Sequence, residues 1–130
     1  MREISRDIGL LVMRLGFGLL MLFGHGWPKL MMALGDAPIQ FADPIGLGVT
    51  SSLYAAIFAE FLCSIFIIIG FKTRAAAIVL AFTMLVAAFI VHATDPFFSK
   101  KEFALVYALY YLGLACTGPG RFSLDHMLRR

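Results

Sequence analysis

The sequence predicts an all-α integral membrane protein, a four-helix bundle with both termini cytoplasmic. Composition is the first observation: 61% of the residues are hydrophobic and only 15% are charged, whereas a soluble domain carries about 25% charged residues. The second observation is a mean hydropathy of +0.88, which makes lipid the natural solvent for so small a chain. Because 130 residues are enough for one domain, we expect a single transmembrane domain over 1–130.

Four apolar segments supply the predicted spans. The first is long enough, at about 1.5 Å per residue, to more than cross a hydrocarbon core of about 30 Å, and the fourth is the shortest. The predicted bounds are about 8–34, 53–70, 75–91 and 103–117.

The connections between these spans differ in kind. Residues 35–52 are rich in Gly, Pro and Asp, which predicts a long extramembrane loop. Residues 71–74 predict a tight turn in which Thr73 caps the third span, and residues 94–101 predict a second short turn. After the fourth span, Gly118-Pro119-Gly120 ends the helix.

A short amphipathic tail is expected over 121–130. Ser123 is placed to cap a tail helix, whose apolar residues can lie on the membrane surface. Arg129 and Arg130 would then face anionic headgroups.

The distribution of basic residues predicts the orientation. Seven lie on the side of the termini, namely Arg2, Arg6, Lys72, Arg74, Arg121, Arg129 and Arg130. Three lie on the opposite side, namely Lys29, Lys100 and Lys101. The positive-inside rule therefore places both termini in the cytoplasm. A signal peptide ending near Ala33-Leu34-Gly35 is the alternative, but the apolar stretch is long for one and Arg14 interrupts it.

Ionisable residues inside the spans are the candidate functional residues, because an acid or base at a helix centre costs about 2.5–3.5 kcal/mol on insertion scales. The predicted topology gathers five of them in the outer half of the bundle: His25, Lys29, Glu60, His92 and Glu102. The first span is also weak at this level, because Pro28 cannot donate to the carbonyl of Gly24. A broken helix at membrane depth usually lines a cavity. Arg14 lies far deeper, and we expect it to snorkel or to pair with a carbonyl.

Several interpretations of this cluster stay open. Glu60 has a structural interpretation, in which it pairs with Lys29 or His25 to hold two spans together, and the functional alternatives are a ligand site and a proton or ion path. His92 alone is typical of an interfacial helix end. The spacing matches no strong metal motif, so no metal site is predicted. Cys63 and Cys116 are expected to be small buried apolar residues rather than a redox pair.

Several short motifs then follow one another in a characteristic order. The first half carries Arg14-Leu15, Gly24-His25-Gly26-Trp27-Pro28-Lys29-Leu30, Ala59-Glu60 and Gly70-Phe71-Lys72-Thr73-Arg74-Ala75. The second half carries Lys101-Glu102-Phe103-Ala104-Leu105 and Gly118-Pro119-Gly120-Arg121-Phe122-Ser123-Leu124-Asp125. In this order the chain resembles the DoxX family of small bacterial membrane proteins over nearly its whole length. It departs from the family at 61–64, where Phe61-Leu62-Cys63-Ser64 replaces a stretch that is often glycine-rich, and Ser64 is the candidate small contact.

The resemblance implies a protein of the bacterial inner membrane. Some relatives look like membrane subunits of thiosulfate:quinone oxidoreductases, and others are linked to thiol and oxidative-stress partners. We therefore expect a membrane subunit of a respiratory or thiol-linked redox system, with a quinone or a small sulfur species bound in the outer half. At most it is an oxidoreductase subunit without its own redox cofactor, because the sequence shows no phosphate loop, flavin or nicotinamide fingerprint, or haem motif.

Two rival functions come from other classes. One is a membrane anchor for soluble partners, binding through Arg74, Arg121, Asp125 and the tail. The other is a small proton-coupled permease that works as a homo-oligomer. The expected partners are the lipid bilayer and a redox subunit, with no nucleic acid, because the basic residues form no continuous stripe.

Overall fold

The protein is described by a computed structural model that covers residues 2–129. These residues form helices joined by turns and loops, with no strand among them. The α-helices are α1 Arg2–Met21, α2 Trp27–Leu34, α3 Val49–Ile57, α4 Ser64–Ile69, α5 Thr73–Val86, α6 Glu102–Thr117 and α7 Leu124–Leu128. Arg130, whose contact with headgroups the sequence predicts, lies outside the described residues.

Three helical stretches are long and apolar enough to cross a membrane. They are Glu3–Leu34, Val49–Ile69 and Thr73–Val91, and we refer to them as the first, second and third spans. Helix α6 has 16 residues and therefore measures about 24 Å. The first two spans begin earlier than the sequence predicts, at residues 3 and 49 rather than about 8 and 53. The reason is that their first turns include polar residues such as Arg6 and Ser52.

Wide π-helical turns join the α-helical parts of the first two spans, at Leu22–Gly26 and Phe58–Cys63, and a third forms the end of the third span at Ala87–Val91. In the first of these the N–H of Trp27 donates to the carbonyl of Leu22, five residues earlier. The prediction that the helix is broken near Pro28 is therefore wrong. The helix continues through the proline, and one widened turn precedes it. At residues 97–101 the chain is kinked, with non-helical backbone at Phe98 and Ser99.

Small residues bring the spans together. Helix α5 packs along α6 through buried alanines, among them Ala77 and Ala108. Helix α1 packs against α4, where a Cβ at Gly18 would lie 3.6 Å from the carbonyl oxygen of Ser64. Ser64 is fully buried and serves as the small contact that the sequence predicts, as is typical of helix packing in lipid.

Large apolar side chains cover the outside of the molecule. Leu20, Phe23, Phe82 and Leu109 are each 60% exposed or more. In water such a surface would be an aggregation site, whereas in a bilayer it costs nothing. The exposed surface therefore agrees with the three apolar spans in requiring a membrane.

The tail helix α7 folds back onto the turn between the second and third spans. The Asp125 carboxylate accepts hydrogen bonds from the N–H of Lys72 at 2.7 Å and of Thr73 at 2.9 Å. The prediction that Thr73 caps this helix is therefore wrong: Thr73 is its first residue, and the cap comes from α7. The prediction that Ser123 caps the tail helix is confirmed, since its side chain accepts from the N–H of His126.

Candidate functional site

An ion pair between the first and second spans is the centre of the candidate site. The Lys29 ammonium donates to the Glu60 carboxylate at 2.7 Å, and the Glu60 side chain is only 5% exposed. Glu60 lies roughly 16 Å along the helix from Val49, which is deeper than the sequence bound of 53 implied. Both charges are thus held at membrane depth, where each requires a partner.

Two wide turns create this contact. Gly26 ends the π turn of the first span and lies directly against the π turn of the second, which contains Glu60. A Cβ at Gly26 would lie 2.8 Å from Cα of Phe61 and closer still to the Glu60 carbonyl group. Only glycine allows so close an approach of two backbones, and Lys29 then follows one helical turn later.

The imidazole of His25 lies beside the ion pair. It is partly buried, it packs edge-on against the ring of Tyr107 with centroids 5.4 Å apart, and it interacts electrostatically with both Glu60 and Lys29. Tyr107 was missed in the sequence because an aromatic residue in an apolar span has no distinguishing signal there.

The three ionisable residues line one pocket of about 640 Å³. We call it the loop-side pocket, because residues 40–47 of the long loop line it together with the ends of the spans. Most of its remaining walls are apolar, for example Ile45, Val86 and Phe103. The Phe41 ring reaches back to the ion pair, 6.0 Å from the Lys29 ammonium to the ring centroid. A mainly apolar cavity with a few converging polar groups is typical of a small-molecule site.

Comparison with known proteins identifies the family of this chain. The family model of DoxX matches residues 9–93, a range that contains the ion pair and His25. The chain belongs to the DoxX family. It is also 30% identical over 130 residues to the inner membrane protein YqjF of Escherichia coli strain K12, with 95% of each chain covered. No solved structure matches this DoxX-family chain. Together with the three apolar spans, the relationship identifies a multi-pass protein of the bacterial inner membrane.

The other two members of the predicted cluster lie outside the buried group formed by Lys29, Glu60 and His25. His92 lines the pocket, but its Nδ1 contacts the Asp95 carboxylate at 2.7 Å just after the third span ends. Glu102 is the exposed first residue of α6 and is not among the residues lining the pocket. Of the five predicted residues, three therefore lie together, His92 lines the same pocket, and Glu102 does not line it.

Arg14 is separate from this site. It is 1% exposed, and its guanidinium donates to the carbonyl of Phe122 at 2.8 and 3.0 Å and to that of Pro119 at 3.3 Å. The prediction that Arg14 pairs with a carbonyl is confirmed. Its position beside the C-terminal segment gives it a part in holding the tail.

The structure also shows the state of the two cysteines and of potential metal ligands. Both cysteines are free; Cys63 is buried as expected, whereas Cys116 is exposed, so its predicted burial is wrong. No group of three or more His, Cys, Asp or Glu residues within 2–129 is arranged to hold a metal ion.

Proposed function

We propose that this DoxX-family protein is a membrane subunit of a respiratory or thiol-linked redox system, and that the loop-side pocket binds a quinone headgroup. The observation that carries the proposal is the Lys29–Glu60 pair, with His25 beside it, in an otherwise mainly apolar cavity of about 640 Å³. A quinone matches both properties, because its ring is apolar and its two carbonyl oxygens accept hydrogen bonds.

The ion pair of Lys29 favours a neutral quinone over an anionic sulfur species as the ligand. The lysine charge is already neutralised by Glu60 at 2.7 Å. An anion would have to displace the carboxylate and leave it buried without a partner, at a cost of several kcal/mol. A neutral carbonyl ligand requires no such displacement.

In this proposal the chain itself exchanges protons with the quinone. A quinone that accepts two electrons from a redox centre on a partner subunit must also take up two protons to become the quinol. His25 and Glu60, at the buried centre of the pocket, are groups that can hold and pass protons. Electron transfer belongs to the partner, because the sequence carries no binding motif for a redox cofactor.

The proposal includes the arrangement in the membrane. We propose that α6 is a fourth span, that the four spans form one bundle, and that both termini are cytoplasmic. The excess of basic residues on the terminal side supports this orientation, and it places the loop-side pocket in the periplasmic half of the bilayer.

Binding of a quinone analogue to the purified protein in nanodiscs tests the proposal. Glu60→Gln and His25→Ala should each weaken binding at least tenfold, the equivalent of about 1.4 kcal/mol. Glu102→Gln and His126→Ala are matched controls, because both residues are exposed and neither lines the pocket. The thermal midpoint of each variant is measured in parallel.

The outcomes separate a ligand site from a structural pair. Loss of binding with the midpoint retained supports the proposal. A lower midpoint together with unchanged binding would identify the ion pair as a purely structural link between two spans, and absence of binding to the unmodified protein would reject a quinone.

A further inference from the structure

The opposite end of the molecule carries a second depression, which nothing in the proposed function uses. We call it the terminal-side groove. It lies between the start of α1, the turn at 71–75 and the tail, and it has a volume of about 840 Å³. Five basic side chains line it: Arg6, Lys72, Arg74, Arg121 and Arg129. All five residues are exposed.

Three carboxylates also line the groove and offset part of this charge. Two of them bind backbone N–H groups, and one of these two also pairs with Arg121. Both oxygens of Asp125 accept backbone N–H groups at the start of α5. Asp7 is buried, accepts the N–H of Arg121 at 3.2 Å and lies 3.7 Å from that residue's guanidinium. Only Glu3 remains, so basic side chains predominate among the groups that a ligand can reach.

A buried cation lies beneath the groove. Arg14 donates to the carbonyl of Pro119, which itself lines the groove, yet it forms no ion pair with any described carboxylate. A charge in such surroundings is screened much less than one in water. Its positive potential therefore reaches the groove and favours an anion there.

The edge of the groove is apolar on the tail side. Phe122, Met127 and Leu128 are 41%, 69% and 60% exposed, and Leu128 lines the groove itself. A water-soluble anion would gain no binding energy from this apolar surface. A phospholipid satisfies both parts, because its phosphate can enter the groove while its acyl chains lie along the apolar side chains.

We propose that the terminal-side groove is a binding site for the phosphate-bearing headgroup of an anionic phospholipid. The tail helix α7 and the turn at 71–75 hold one lipid molecule between them. The site is independent of the loop-side pocket and of the redox function proposed for it.

The first experiment is a titration of the full-length protein in neutral detergent with short-chain phosphatidylglycerol, in which native mass spectrometry counts the lipids retained per chain. Phosphatidylcholine and inorganic phosphate are the comparison ligands. We expect one retained phosphatidylglycerol. Phosphatidylcholine should bind at least fivefold more weakly, because it carries no net charge and the attraction of each basic side chain contributes about fivefold. Inorganic phosphate should bind at least tenfold more weakly, because it has no acyl chains to lie along the apolar edge of the groove. Equal binding of inorganic phosphate would overturn the lipid as the ligand.

Paired variants then locate the site. Arg6→Gln with Arg129→Gln removes two charges from the groove, and Lys100→Gln with Lys101→Gln removes two from the opposite side. We expect about 25-fold weaker phosphatidylglycerol binding for the first pair, because each basic side chain contributes about fivefold, and little change for the second. Equal losses in both pairs would reject the groove, because they would indicate general attraction to charge.

A variant that keeps the charge tests whether the groove itself is occupied. Thr117 lines the groove on the exposed end of α6, so Thr117→Trp fills the space without changing the electrostatics. Thr94→Trp, on the exposed turn of the other side, is its control. The proposal requires that Thr117→Trp abolish the retained lipid while the thermal midpoint in phosphatidylcholine is unchanged, and retention of the lipid would overturn it.

Discussion

The two ends of this DoxX-family protein hold their buried charges in different ways. At the loop-side pocket, Lys29 and Glu60 satisfy each other through side chains. At the terminal end, the two terminal nitrogens of the Arg14 guanidinium donate to the backbone carbonyls of Phe122 and Pro119. A side-chain pair can be opened by a proton or a ligand, whereas a cation bonded to backbone carbonyls can be released only if the local fold is lost. We therefore expect the proposed chemistry at the first end and a structural role for Arg14 at the second.

Removing the buried arginine should have the largest effect. Arg14→Gln shortens the side chain and leaves the carbonyls of Phe122 and Pro119 without their charged donor. We expect the free energy of unfolding to fall by about 3 kcal/mol, since a hydrogen bond to a charged group contributes about 1.5–3 kcal/mol. Unfolding in mixed micelles measures it, with Arg6→Gln as control because Arg6 is exposed on the same helix. Equal stability of the two variants would contradict an architectural role for Arg14.

Adding one methyl group between the first two spans should have the next largest effect. In Gly26→Ala the new Cβ meets backbone atoms of Glu60 and Phe61, which cannot move aside as a side chain can. We expect a loss of about 2 kcal/mol from overpacking, together with weaker binding in the pocket. Gly24→Ala is the matched control, because nothing lies within 4 Å of a Cβ there. Comparable unfolding curves for the two variants would show that the spans are not in close contact.

The ion pair can be measured by a double-mutant cycle. Lys29→Met and Glu60→Gln should each lower stability, and the double variant should lose less than the sum of the two. We expect a coupling free energy of about 1 kcal/mol, because Lys29 keeps 21% of its side chain exposed and the pair is partly screened. Additive losses would mean that the two charges act independently.

Much of this architecture was accessible from the sequence, because long apolar segments and the few charges within them determine where helices lie in lipid. The pairing of Glu60 with Lys29 was foreseen as one interpretation, since residues at the same depth on adjacent spans meet. The π turns and the Gly26 contact were not foreseen, because the hydrophobic pattern of a π turn differs from that of an α-helix by a single residue. The cap from Asp125 was missed for another reason: its partner lies 52 residues away, and local capping rules compare only near neighbours.

The smallest expected effect is a pH dependence at the terminal end. Partial burial would by itself raise the pKa of Asp125, but the hydrogen bonds from Thr73 and Lys72 and the charge of Lys72 outweigh burial and hold the pKa below its usual range. A carboxyl with a lowered folded-state pKa stabilises the fold above its unfolded pKa of about 3.9, and this contribution is lost as the pH falls through the folded value.

Asp125→Asn should therefore lower stability by about 1 kcal/mol near neutral pH, as the loss of a helix cap does. Below pH 4 the difference from the unmodified protein should shrink. Thermal midpoints between pH 3 and 7 measure this, with Asp36→Asn in the exposed loop as the control. A difference that stays constant across this range would show that the charge of Asp125 has no part in the cap.

The cap from Asp125 also imposes an order on biosynthesis. The amide groups at the start of α5 leave the ribosome 52 residues before the carboxylate that binds them. At about 5–20 residues per second, they wait about 3–10 s for it. The turn between the second and third spans therefore lacks its cap until Asp125 has been translated.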